Sequence, residues 1–305
     1  MDEELKLELR QFLCGLVKVA TATTVPYFRS GLAYENKSSN GFDPVTLADR
    51  ATEQVIRNSI LDQYPDHGVS GEELEPLNSD SPYQWVIDPI DGTKAFLCGL
   101  PTWATLIGLC DQTGPILGLM SQPIVGEYFI GGFGVAESIG DDKHVPLHTS
   151  DVTQLSDASV FATSPDMFSP DGELSQFNAL SRAARLTRFG VDSYAYCMLA
   201  AGYIDVVAEA GLGFYDVAAL IPIVQTAGGV ITDWAGLPIE SGGAVVAAAN
   251  PALHAAALAA LNPSPAWFNF EDRANCVCLN HVTQTVLSDP FRGLPPKIAP
   301  LVGLR

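Results

Sequence analysis

Apolar residues in the first two dozen positions recur three and four apart. Leu5, Leu9, Phe12, Leu13, Leu16 and Val17 fall on one stripe, which predicts an amphipathic helix over residues 3 to about 25. A second helix is expected from Thr46, whose hydroxyl can cap the first turn with Asp49 three residues on, and it runs through LADRATEQVIRNSILDQY. GVSGEE reads as a short strand entering a loop. From Trp85 to about Gly134 the rhythm changes. WATLIGLC, PILGLMSQP and GEYFIGGFG are short apolar runs punctuated by glycine and proline, the pattern of strand following strand.

The second half alternates. DASVFATS predicts a strand, DGELSQFNALSRAARL a helix, TRFG a strand, SYAYCMLAAG a helix and IDVVAEA a strand. DVAALIPIVQTAG then reads as one helix ending on Gly228-Gly229, GVITDW and AVVAAAN as strands, and PALHAAALAALN as a last helix. Mostly antiparallel strands with two helices first, then alternating elements, imply stacked layers of sheet and helix. No internal repeat is visible. The best boundary lies near DDKHVPLHTSDVTQLS. It divides an α+β half (1–150) from an α/β half (151–262), and a proline-bearing tail without sustained period follows (263–305).

At 305 residues and 47% apolar, the chain can bury a large core. Its 16 basic against 35 acidic residues, a formal charge of −19, argue against nucleic acid and anionic membrane as partners. Any anionic substrate would need cations supplied by metal. The six cysteines show no C-x-x-C spacing, so reduced thiols are expected, and Cys276-Val-Cys278 alone is a weak metal signal. The acidic, amphipathic start is unlike a signal or transit peptide, and no apolar run reaches membrane-spanning length, so a cytoplasmic protein is expected. The histidines have no ligand spacing, and neither a Ser-His-Asp arrangement nor a Walker-type loop stands out.

The stretch WVIDPIDGTKAF concentrates the chemistry. Trp85, Val86 and Ile87 read as a buried strand that Asp88 closes, with Pro89 disfavouring helix before it. Gly92 permits a tight backbone approach, and Thr93 begins a short helix. Two carboxylates at a strand end beside a helix start suit cations and an anion together. Other acids stand in context: Asp43 before Pro44, Glu72 and Glu73 after Gly71, and Asp216 after Tyr215. Read alone, Asp216 is a helix cap or a ligand, and Glu72 is a solvated loop residue or a ligand.

In chain order GEE, DPIDGT, an aromatic residue followed by Asp, and GG resemble the inositol monophosphatase family of metal-dependent, lithium-sensitive phosphatases. The resemblance covers residues 1 to about 262. RFGVDSYAYCMLAAGYIDVVAEAGLGFYDVAALIPIVQTAGGVITDW and DPIDGTKAFLCGLPTWATLIGL look most like its histidinol-phosphate phosphatase branch, which serves histidine biosynthesis. The similarity implies an α/β protein of the layered α/β/α/β/α type shared with fructose-1,6-bisphosphatase. It implies two or three Mg²⁺ ions per site. Glu72, Asp88 and the Ile90 carbonyl match the first ion's ligands, while Asp88, Asp91 and Asp216 match the second's; Glu72 helps a third through water. Asp43 and Thr93 match the pair that orients the attacking water. Gly92 and Thr93 would seat the phosphate.

Glu209, seven residues before Asp216, matches a substrate-contacting glutamate, though a carboxylate there can equally bridge neighbouring backbone. Asp192 matches an aspartate typical of the histidinol branch. Together they would favour the amine and imidazole of histidinol phosphate. Lys94 either touches phosphate or is an ordinary surface lysine, and Arg188 either faces the site or pairs with nearby acids. Tyr215 replaces the tryptophan usual before the aspartate. Expected, then, is a Mg²⁺-dependent phosphate-monoester hydrolase acting on a small phosphorylated metabolite. The alternatives are inositol monophosphate or another family substrate and, from a different class, a non-catalytic metal- or phosphate-binding protein. The family resemblance also allows a homodimer.

Overall fold

The computed structural model describes residues 1–31, 33–36, 44–140 and 143–263. Asp43, Cys276, Cys278, His281 and the tail from residue 264 lie outside them. Helix α1 (Glu3–Thr24) is capped by Asp2, whose carboxylate accepts from Leu5 N–H at 2.9 Å. Strands β1 (Tyr34–Asn36) and β2 (Pro44–Thr46) pair antiparallel, and α2 spans Leu47–Gln63. Next come β3 (Gly68–Gly71), β4 (Gln84–Asp91), the short α3 (Thr93–Leu97), β5 (Ala104–Asp111), β6 (Gly114–Gln122), β7 (Glu127–Gly132), β8 (Val135–Gly140) and β9 (Lys143–Pro146). The remainder is β10 (Ser159–Ala162), α4 (Glu173–Ala183), β11 (Leu186–Phe189), α5 (Tyr194–Ala200), β12 (Val206–Leu212), α6 (Phe214–Val217), α7 (Leu220–Thr226), β13 (Val230–Asp233), β14 (Gly243–Ala248) and α8 (Pro251–Leu261).

Two sheets organise these elements. One holds β3 to β9 in sequence order, antiparallel except for β3 beside β4; the other runs β11-β10-β12-β14-β13. Alternation along the strands decides what each face covers. Ile107, Leu109, Leu117 and Leu119 pack against Leu9, Leu13, Ile56 and Ile60 of α1 and α2, whereas Leu106 and Met120 face the opposite way. That second face meets α5 and α7, which lie on Val207, Val245 and Ala247 of the smaller sheet. Val206, Ala208 and Val246 point outward again, onto Phe177 and Leu180 of α4 and Leu253 and Ala257 of α8. The layers are therefore helix, sheet, helix, sheet, helix. Strands buried on both faces explain the unbroken apolar runs in the sequence.

Three elements differ from the sequence reading. β4 does not close at Asp88 but continues to Asp91, with a shift in register: Asp88 stands opposite Leu106, Asp91 opposite Ala104. Pro89 has no N–H to give the ladder, so the strand bulges there, and Thr105 Oγ1 donates to the Pro89 carbonyl at 2.8 Å. The single helix expected over DVAALIPIVQTAG is two, α6 and α7. Pro222 lacks an N–H and its ring crowds the carbonyl four residues back, which breaks the helix at Ala218-Ala219. Finally, part of the expected linker, Lys143–Pro146, is the edge strand β9, paired with β8.

The middle helices sit close to the larger sheet because three glycines lie in a row across it. Gly108 pairs with Gly118, and Gly118 with Gly131. A Cβ at Gly118 would stand 1.9 Å from the Ala219 carbonyl oxygen, one at Gly131 2.3 Å from Ile223 Cα, and one at Gly108 3.1 Å from Ala219 N. The main chain entering α7 thus rests on bare strand backbone. Gly118→Ala should destabilise the protein by about 3 kcal/mol or more, because the obstructing atoms are backbone. Urea denaturation of the variant measures this, and a loss under about 0.5 kcal/mol would show that the helix can lift away.

Candidate active site

Four segments bring the acids together. β3 and β4 run parallel with Gly71 opposite Ile87, and Glu72 N–H donates to the Ile87 carbonyl at 3.2 Å, which sets Glu72 alongside Asp88. The loop behind Glu72 is stapled from α2. Glu53 and Arg57, buried at 0% and 2% exposure, form an ion pair at 2.6 Å. Arg57 also donates to the carbonyls of Leu74 and Glu75, each at 2.7 Å, and Glu53 accepts from Glu73 N–H at 2.7 Å. A Cβ on Gly71 would lie 2.3 Å from Glu53 Oε1, so this close approach requires glycine.

The bulge at Pro89 turns Asp88 and Asp91 toward one another. Asp88 is 1% exposed; one of its oxygens accepts from Ile90 N–H at 3.0 Å. Asp91 accepts from Ser193 N–H at 3.0 Å. Asp216 arrives from α6, held by Gly213 N–H at 2.6 Å. One carboxylate oxygen from each of Asp88, Asp91 and Asp216 lies within 4.8 Å of the others. Burial, then the fields of Glu72, Asp91 and Asp216, hold the Asp88 carboxyl well above the usual carboxylate range. Burial followed by Asp192 pushes Asp91 up to about 7, and burial followed by Asp91 pushes Asp216 to about 8. Acids packed this way are at odds with their own ionisation unless cations join them. An all-oxygen donor set suits a hard divalent cation, so these residues fit the ions that the resemblance implies.

A cavity of about 550 Å³ opens beside the cluster. Glu72, Asp91, Thr93 and Asp216 line it, together with Asp166, Asp192 and Glu209. Lys94 is the one basic side chain lining it among the described residues. Gly92 has φ +77°, and a Cβ there would stand 2.9 Å from Asp192 Cγ, so a residue without a side chain lets Asp192 lie directly over the backbone here. Thr93 Oγ1 donates to the Ile90 carbonyl at 3.1 Å. Tyr215 lines the cavity with its ring over Gly213, where a Cβ would be 2.6 Å away. Arg188 is exposed on the edge strand β11 and is not among the lining residues.

The model of the inositol monophosphatase family matches residues 6–266. The chain belongs to the inositol monophosphatase family. Among relatives, a histidinol-phosphatase of Streptomyces coelicolor is 36% identical over 81% of this chain and 94% of its own length. A histidinol-phosphatase of Mycobacterium tuberculosis is 35% identical over 72% and 85%. The Arabidopsis thaliana protein named bifunctional phosphatase IMPL2, chloroplastic, is 38% identical over 69% of this chain, which spans only 60% of that relative. An inositol monophosphatase structure from Zymomonas mobilis superposes with a TM-score of 0.72 at 35% identity, covering 83% of this chain and 96% of that one. The protein is accordingly a phosphoric monoester hydrolase, histidinol-phosphatase-like, and its layered fold is that of the family. No described helix is long and apolar enough to cross a membrane.

One residue of this inositol monophosphatase-family site escaped the sequence reading. Asp49 reads as the N3 partner of a capping box, and so it is: its Oδ2 accepts from Thr46 N–H at 2.8 Å and Thr46 Oγ1 at 2.5 Å. Its Oδ1, however, is buried without a hydrogen-bond partner, and Asp49 is among the acids whose field raises Asp88. Burial pushes its own carboxyl to about 6. A signal was available. The buried residues of α2 include Asp49, Glu53 and Arg57, four apart, where an amphipathic helix should be apolar.

Glu209 is 3% exposed and committed on both oxygens, to Thr163 N–H at 2.7 Å and Tyr196 OH at 3.0 Å, while also lining the cavity; burial pushes it to about 7. Both readings of this residue thus have an observation behind them. Each carboxylate oxygen can accept a second bond.

Proposed function

We propose that the protein hydrolyses L-histidinol phosphate to L-histidinol and phosphate. The observation that carries this reading is the charge of the cavity. Besides Glu72, Asp91 and Asp216 it is lined by three further acids, Asp166, Asp192 and Glu209, with Lys94 the sole lining cation among the described residues. An alcohol bearing an ammonium group is the complement of that wall. The relatives named histidinol-phosphatase point the same way.

Glu72, Asp88, the Ile90 carbonyl, Asp91 and Asp216 would hold two or three Mg²⁺ ions. Bound there, the ions would neutralise the phosphate dianion and make a water acidic enough to attack. The chain's own contribution is placement. Thr93 gives its hydroxyl hydrogen to the Ile90 carbonyl, leaving an oxygen lone pair to accept a proton of the attacking water. Glu72, which lines the cavity, and Asp49, whose unpartnered oxygen is buried and whose charge acts on Asp88, are the carboxylates we assign to orient that water and draw off its proton. Asp43, to which the resemblance gives the same part, lies outside the described residues. Gly92 and Thr93 would receive phosphate oxygens at the start of α3.

Phosphate release from histidinol phosphate and inositol 1-phosphate, measured side by side with magnesium, tests the reading. A kcat/KM favouring inositol 1-phosphate would overturn it. The sharper test is Asp192→Asn, which keeps a residue tolerant of its left-handed φ of +47°. KM for histidinol phosphate should rise about tenfold while KM for inositol 1-phosphate moves less than about twofold, since only the first loses a charged partner. Equal rises would assign Asp192 a structural part only.

A further inference from the structure

Asp192 and Ser193 are adjacent and serve different ends of the site. Ser193 N–H holds the metal-ligand candidate Asp91, and Asp192 faces the cavity. The turn that carries them is conformationally expensive: Asp192 is one of few described non-glycine residues with positive φ. Its internal bonds are short-range: Tyr194 N–H to Val191 O and Ala195 N–H to Asp192 O, each 3.1 Å, and Tyr196 N–H to Ser193 O at 3.0 Å. Something outside the turn has to keep it in place.

The end of the β6–β7 hairpin does so from two sides. Glu127, first residue of β7, accepts a hydrogen bond from the Tyr194 hydroxyl, next in the chain to Ser193. Gln122, its cross-strand partner and fully buried, donates to the carbonyls of Pro101 and Trp103, the latter at 2.9 Å. Between those two carbonyls stands Thr102, whose hydroxyl reaches Asp192 Oδ2 at 3.3 Å. Neither Glu127 nor Tyr194 lines the catalytic cavity.

We propose that the Tyr194–Glu127 hydrogen bond, with Gln122 beside it, is a positioning brace that keeps the Asp192–Ser193 turn in register with both the metal ligands and the substrate. It rests on the assignment of Asp91 and Asp192 made above. Glu127 and Tyr194 are positioning residues; they touch neither cation nor ester. Loosening them lets Ser193 N–H drift from Asp91 and Asp192 from the ammonium group together, so one bond should affect two properties that are otherwise separate.

Tyr194→Phe is the test, because the ring and its edge contact with Phe129, centroids 6.1 Å apart, remain. KM for histidinol phosphate should rise about tenfold and the magnesium needed for half-maximal activity about fivefold, in keeping with the cost of small misplacements. Glu127→Gln, whose amide oxygen still accepts the phenol proton, should stay within about twofold of wild type, while Glu127→Ala should match Tyr194→Phe. A Tyr194→Phe enzyme with a lowered thermal midpoint but unchanged KM and magnesium requirement would overturn the brace. Should the wild-type enzyme show no preference for the amine-bearing ester, the substrate assignment fails instead. The magnesium requirement, read with p-nitrophenyl phosphate, still decides the brace in that case.

Discussion

Asp88→Asn is expected to lower kcat/KM by at least about a thousandfold, some 4 kcal/mol of transition-state stabilisation. The reason is position. Asp88 is the buried member of the acidic group, flanked by Glu72, Asp91 and Asp216, and its carboxyl is held high by burial first and then by all three. An amide of the same shape can still take the Ile90 N–H bond, so the bulge survives, but it presents a neutral group where the proposed function places a shared charged ligand. The metal-free variant should at the same time be more stable than the metal-free wild type, since one buried negative charge is gone. Steady-state kinetics and thermal unfolding with EDTA measure the two effects together. Activity within about tenfold of wild type would show that Asp88 does not hold the essential cation.

The second large effect is a dependence of stability on pH that bound cations reverse. Asp49, Asp91, Asp192, Glu209 and Asp216 have carboxyls raised to about 6, 7, 6, 7 and 8, in each case first by burial. Raised in the folded state, such groups bind protons more tightly there than in the unfolded chain. Their contribution to stability is full below the unfolded values of about 4 and is lost as pH climbs through about 6 to 8. Metal-free protein should therefore melt at lower temperature at about pH 8 than at about pH 6. A divalent cation wants the same carboxylates ionised, so its stabilising effect should be larger at the higher pH. Saturation a hundredfold above the dissociation constant stabilises by about 2.7 kcal/mol, or roughly 4–5 °C for a chain of this size. Calorimetry at the two pH values, with EDTA and with magnesium, gives the answer. Equal increments at both would mean the acids are solvated.

Much of this was legible in the sequence because the relevant physics is local. The stripe in α1, the capping box of Thr46 and Asp49, and the strand leading to Asp88 each depend on neighbours within one element. DPIDGT can be read locally because a proline that cannot pair stands between its two aspartates and a glycine that can turn left-handed follows them. What was missed depends on distant partners. Asp49 satisfies a local rule with one oxygen, which conceals the other oxygen until Asp88 is seen beside it. The Glu53–Arg57 pair looks like an ordinary surface pair at helical spacing until both prove buried under the loop behind Glu72. The break between α6 and α7 was readable from Pro222, but the apolar run around it argued for continuity.

The row of glycines across the larger sheet has a bearing on how the site endures change. Where side chains separate two layers, the gap follows their size, and each exchange of one aliphatic residue for another nudges the layers apart or together. At Gly108, Gly118 and Gly131 the separation is fixed by main chain against main chain, which every sequence builds alike. Asp216 lies just ahead of that seat and Asp91 on the sheet that forms it. The span between these two carboxylates is thus set by backbone contact at that seat more than by the size of the aliphatic residues around it, so exchanges elsewhere in the core should leave it unchanged.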